Sequence, residues 1–254
     1  MFKLTHKTKL QRMGAMQQLM AAQGADAIVF TASDFIQYAT NFAVDVLPWE
    51  RPIFCIVTAD GGLHAVFNEL STNHLRFSAA KGTLWLDEKN IHFYSEHPRV
   101  TQRLPNPAEL PQLVASVLRQ LGLVGKHLIA DGVTGPLQQA IALLPATRVT
   151  SATAVLRSLR WVKNEEELHI MRSLASLTDW TQQQFKRLYQ PGLKTQVLDF
   201  QVAALMAEEA ALRFPGESFE VMRCWTLSGP ASASPHGDGA NFGTLHLCAR
   251  SGLL

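Results

Sequence analysis

The chain has 254 residues, 47% of them hydrophobic and 17% charged, with a formal net charge of +2. That is enough chain for one large domain or two medium ones, each with its own core, and it excludes an extensively disordered protein. The near-neutral charge argues against a nucleic-acid reader, and the lack of any run of 18 apolar residues argues against a membrane span.

The N-terminus is basic (Lys3, Lys7, Lys9, Arg12), but no apolar stretch with a small-residue cleavage site follows, so no secretory signal is expected. Leu10, Met13, Met16, Leu19 and Met20 recur at helical spacing, and Gly24 stops the helix. Asp26 to Phe30 reads as a short buried strand, and Ser33 or Asp34 as the cap of a short helix reaching Thr40. The apolar runs Pro52–Val57 and Leu63–Phe67 flank Ala59-Asp60-Gly61-Gly62, which predicts a hairpin. Ile91 to Tyr94 is a further strand. A helix follows over about Asn106–Leu121, with Leu110, Leu113, Val114, Val117 and Leu118 on one side. Lys126 to Ala130 returns as a strand, and a short helix covers about Pro136–Leu144. Strands alternating with helices, with one hairpin, predict a mixed α/β sheet covered by helices.

The pattern changes near residue 150. Asn164 to Tyr189 is one long helical stretch, with Asn164 as cap, three glutamates in its first turn, and Leu168, Met171, Leu174, Ala175, Phe185 and Leu188 as its buried side. Pro191-Gly192 closes it. Thr195 caps a second helix to about Ala211, and Phe219 to Met222 starts a strand leading to Ser228-Gly229-Pro230-Ala231-Ser232-Ala233-Ser234-Pro235-His236-Gly237. The reading therefore places a first domain at 1–155 and a second at 156–254.

Two motif-like segments lose their chemistry on inspection. His92-Phe93-Tyr94-Ser95-Glu96-His97 is one residue too long for an inverted zinc motif and lies on a strand. Gly122-Leu123-Val124-Gly125-Lys126-His127 has its first glycine too near the lysine for a phosphate loop, and no Ser or Thr follows Lys126. The three cysteines, Cys55, Cys224 and Cys248, are scattered and odd in number, which suits a reducing cytoplasm. Cys55 and Cys224 read as core residues.

Several short signatures occur in order: Asp26-Ala27-Ile28-Val29, Tyr38-Ala39-Thr40-Asn41-Phe42, Leu159-Arg160-Trp161-Val162-Lys163 with Glu166, Glu167, Met171 and Arg172, Pro191-Gly192 with Thr195, and the loop carrying His236. Together they resemble the creatinase and aminopeptidase P family of pita-bread hydrolases. The resemblance implies a ribonuclease-H-like mixed sheet in the first domain and an incomplete α+β pita-bread domain after it. It implies cleavage of Xaa-Pro peptide bonds or related C–N bonds in small peptide substrates. His236 would be the catalytic residue that orients substrate and stabilises charge at the carbonyl.

In the metallopeptidase branch two divalent, manganese-like metals sit on two Asp, one His and two Glu downstream of that histidine. After His236 this chain has Asp238 and His246. No metal site is therefore expected in these residues, and no independent catalysis; a fragment, or a reading frame departing near Phe242, is the expectation. A metal-free creatinase-like branch, in which the matching histidine is the proton-transfer base on an amidino substrate, is the related alternative. A non-catalytic dimerisation or ligand-binding module is the alternative of another class. The resemblance further implies a homodimer, with Trp49-Glu50-Arg51-Pro52 as a candidate interface or substrate-facing loop. Arg160 and Lys163 are candidates for pinning the two domains together.

Overall fold

Six short strands form one mixed sheet: β1 (Ala27–Phe30), β2 (Phe54–Thr58), β3 (Leu63–Asn68), β4 (Ile91–Tyr94), β5 (His127–Ala130) and β6 (Arg148–Ser151), in the order β4-β3-β2-β1-β5-β6. This computed structural model describes residues 2–44, 48, 50–95, 109–217, 219 and 224–233. The chain divides into two units, Leu4–Asn164 and Met1–Lys3 with Glu165–Leu254. Residues 156–164, assigned to the second domain on sequence, thus fall in the first unit.

β2 is antiparallel to both neighbours, with Val29 opposite Ile56 and Cys55 opposite Ala65, as the hairpin signal requires. β5 runs parallel to β1 and β6 parallel to β5. β1 is buried along its whole length, so its residues alternate between two cores rather than between core and solvent. Ile28 and Phe30 face helices α1 (His6–Gln23) and α2 (Ser33–Thr40), which contribute Met16, Met20, Phe35 and Ile36. Ala27 and Val29 face α4 (Leu110–Gln120) and α5 (Gly135–Ala142), which contribute Val114, Leu118, Leu137 and Ala140. α3 (Thr72–Ala80) lies between β3 and β4, and α6 (Thr153–Ser158) follows β6. The result is a ribonuclease-H-like mixed sheet between two helical layers.

Two details differ from expectation here. The N-cap of α2 is Ala32, not Ser33 or Asp34, and its side chain makes no capping bond; its own N–H is bonded by a carboxylate from the segment after β5, as described below. Leu10 of α1 is exposed, while Thr8 is buried and its Oγ1 accepts a hydrogen bond from Asn164 Nδ2 at 2.9 Å.

The second unit consists, among its described residues, of α7 (Glu165–Leu188), α8 (Thr195–Arg213) and a segment closing on a 3-10 turn at Gly229–Ala233. Leu198 and Val202 form its small core with Phe185, Leu188, Tyr189 and Leu193. Met171, Leu174 and Ala175 of α7 are exposed and Leu177 is buried instead. One pair of helices can bury only one stripe on each. Thr195 is not the cap of α8: Lys194 holds that position and Thr195 is the first helical residue, buried. No described helix is long and apolar enough to cross a membrane.

On β3 and β4, half-buried His64 and His92 both titrate below the usual histidine value of 6.5. The main cause in each is burial, to which the neighbouring His92 charge adds for His64 while Asp60 opposes it. The unfolded chain then binds more protons than the folded one. Stability from these histidines is present above pH 6.5 and is lost as pH falls below it. Denaturant midpoints measured from pH 8 to 5 should fall on the acid side, and a His64→Gln/His92→Gln chain should show a flatter profile; equal slopes would refute the assignment.

Candidate functional site

Because β2 is the antiparallel strand, the carboxyl ends of β1, β3, β4 and β5 emerge along one edge of the sheet. At that edge β1 leads into α2 on one face, while its neighbour β5 leads into α5 on the other. Chains diverging to opposite faces leave a crevice between them, which is where open α/β sheets bind ligands.

Asp131 directly follows β5 and is buried, 7% exposed. Its Oδ1 accepts from Thr31 N–H at 2.8 Å and Thr31 Oγ1 at 2.9 Å, and its Oδ2 accepts from Ala32 N–H at 2.8 Å. One carboxylate therefore ties the turn after β1 to the end of β5 and serves the start of α2. Burial pushes its carboxyl above the usual aspartate range, against the pull of the hydrogen bonds from Ala32, Thr31 and Gly132. Thr153 Oγ1 donates to the Asp131 carbonyl and holds the same corner from the other side.

Beside Asp131 lies a cavity of about 140 Å³ lined by Thr31, Pro48, Pro52, Ile53, Thr134 and Pro136. The Thr134 hydroxyl is buried and has no hydrogen-bond partner among the described residues. Thr134 is the N-cap of α5 yet makes no side-chain capping bond. Cys55 is no nucleophile: burial, with the Asp131 charge adding, pushes its thiol up to about 12.

In the second unit, Asp199 of α8 anchors the segment leading toward His236. It accepts from Thr226 N–H at 3.1 Å and from Thr226 Oγ1 at 2.5 Å, and Ser228 two residues on is buried. Burial and then the Asp199 charge push Cys224 up to about 11, so this thiol too is unreactive. His236 itself lies outside the described residues, as do Trp49, His97, Asp238, His246 and Cys248. Among the described residues no group of three or more His, Cys, Asp or Glu side chains could hold a metal ion.

The other residues singled out on sequence have local roles. Arg160 bonds to Asp34 and its guanidinium lies 5.4 Å from the Phe35 ring, while Lys163 Nζ donates to the Arg160 carbonyl at 2.6 Å. Both thus act within the first unit. Gly122 and Gly125 have φ of +68° and +73°, the left-handed values of a tight helix-to-strand turn. His92 to Tyr94 is strand β4. Sequence reasoning missed Thr31, Asp131 and Thr134. The one available signal was a carboxylate directly after the apolar run Leu128-Ile129-Ala130.

Residues 12–162 match the family described as Creatinase/Prolidase N-terminal domain. No curated protein matches the chain. Among solved structures, an Xaa-Pro dipeptidase from Bacillus anthracis is similar with a TM-score of 0.60 at 16% identity, over 90% of this chain and 56% of that one. Dipeptidase PepE from Mycobacterium ulcerans gives 0.62 at 20% identity, over 98% and 60%. A prolidase from Thermococcus sibiricus gives 0.65 at 17% identity, over 91% and 56%. At these identities the likeness is one of fold, and the chain spans 56–60% of the length of these structures.

Proposed function

The chain belongs to the creatinase/prolidase N-terminal domain family, and on that premise we propose that it is part of a hydrolase cleaving Xaa-Pro or related C–N bonds in small peptides. The observation that carries this reading is the fold shared with an Xaa-Pro dipeptidase and a prolidase structure over nine-tenths or more of the chain. In this reading the Leu4–Asn164 unit is the non-catalytic N-terminal domain, working as a homodimer in the cytoplasm. His236 orients the scissile carbonyl and donates a hydrogen bond to the charge that develops on its oxygen.

Residues 1–254 alone are assigned no turnover. The support is the ligand inventory of the sequence: Asp238 and His246 after His236. No catalytic step is routed through a metal here. Purified residues 1–254, assayed on an Xaa-Pro dipeptide with and without manganese, should show no hydrolysis and no stoichiometric metal by elemental analysis. Turnover that disappears in His236→Ala would overturn the inactivity while keeping the substrate class; turnover indifferent to His236 would remove its catalytic role.

A ligand-binding role for the first unit is favoured separately by the cavity at the sheet edge.

A further inference from the structure

We propose that Leu159–Asn164 is a latch: a strap closed onto α1 and α2 by side-chain bonds at both ends, which opens as one piece and turns a fixed chain exit into a free tether. The inference goes beyond the hydrolase reading and does not depend on it.

These six residues lie between Ser158, the last of α6, and Glu165, the first of α7. The first unit ends at Asn164, where the strap ends. Leu159 packs against the first core, but Trp161 is 72% and Val162 88% exposed. Two large apolar side chains left in solvent contribute no burial energy, so beyond Leu159 the strap is held by polar ties.

At the near end Tyr38 Oη of α2 donates to the Leu159 carbonyl at 3.0 Å, and Arg160 bonds to Asp34 of the same helix. That ion pair is half-exposed and contributes little. At the far end Asn164 Nδ2 donates to Thr8 Oγ1 at 2.9 Å and to Gln11 Oε1 at 3.1 Å, both on α1. Thr8 is buried, so breaking its bond carries a larger cost than breaking one at the surface.

Lys163 joins the two ends. Its Nζ donates to the Arg160 carbonyl at 2.6 Å and to that of Trp161 at 3.4 Å. Lys163 directly precedes Asn164, so release of Asn164 frees the lysine and with it the turn carbonyls. The ends therefore open together instead of fraying one by one. Closed, the strap fixes the point where the chain leaves the first unit. Open, it becomes a tether reaching about 20 Å.

The test is amide hydrogen exchange read by NMR on the full chain. The amides of Arg160 and Trp161 donate to the Arg157 and Ser158 carbonyls and should be protected about tenfold or more. Asn164→Ala removes the tie to α1 and touches neither amide, yet it should speed their exchange about three- to tenfold. Tyr38→Phe, which keeps the ring and removes only the hydroxyl, should do the same. The amides of β1 report global opening and should keep their rates in both variants. Three results would each overturn the proposal: unprotected Arg160 and Trp161 amides in the unsubstituted chain, unchanged exchange at both in Asn164→Ala, or equal acceleration of the β1 amides, which would make the ties part of global stability and not a latch.

Discussion

Replacing Asp131 with alanine is expected to destabilise the Leu4–Asn164 unit by about 3 kcal/mol, because the Thr31 and Ala32 N–H groups and the Thr31 hydroxyl lose this acceptor in a buried corner. The measurement is a urea titration followed by tryptophan fluorescence, reading the midpoint at unchanged slope. Asp131→Asn should lie between wild type and alanine. It keeps the bulk and one oxygen, but its amide nitrogen cannot accept from the N–H groups it faces. A pH series separates this carboxylate from the histidines. Its folded pKa is raised above the unfolded 3.8 by burial, so its contribution is complete below that value and shrinks as pH rises through the folded one. The gap between wild type and Asp131→Ala should therefore narrow from pH 4 upward and then level off. A gap that widens with pH would mean that the hydrogen bonds, not burial, control this carboxyl.

The interaction just described explains what sequence could and could not reveal. β1, β5 and the β2–β3 hairpin were legible because each is a buried apolar run bounded by turn residues, and burial leaves its mark in residue type. β6 was not: Arg148, Thr150 and Ser151 are exposed, and only its ladder with β5 makes this segment a strand. α3 was missed for the same reason, since Leu75 is its single buried residue. The buried face of α7 was misjudged because its periodic apolar positions outnumber what one partner helix covers. His236 is proposed through resemblance alone and lies outside the described residues. Asp131 and Thr31 stand 100 positions apart, and nothing in either local sequence says that β5 lies beside β1. A site made by strand order becomes visible only once the order is known.

Phe30→Ala should cost about 4 kcal/mol, among the largest single-residue effects in the first unit. Phe30 is fully buried, ends the central strand β1, and stacks on Phe35 of α2 with ring centroids 5.3 Å apart. Truncation removes the transfer energy of the ring and leaves a cavity that strand and helix, both pinned, cannot close. The same denaturant titration reads it, and a loss under 2 kcal/mol would show that α2 collapses onto β1. Phe30 and Asp131 hold the same turn from two sides, one through packing and one through hydrogen bonds to Thr31 and Ala32. Combined, they should couple: with Asp131 replaced, the turn is free to shift and α2 can settle into the space left by Phe30, so the double substitution should cost at least 0.5 kcal/mol less than the two singles together.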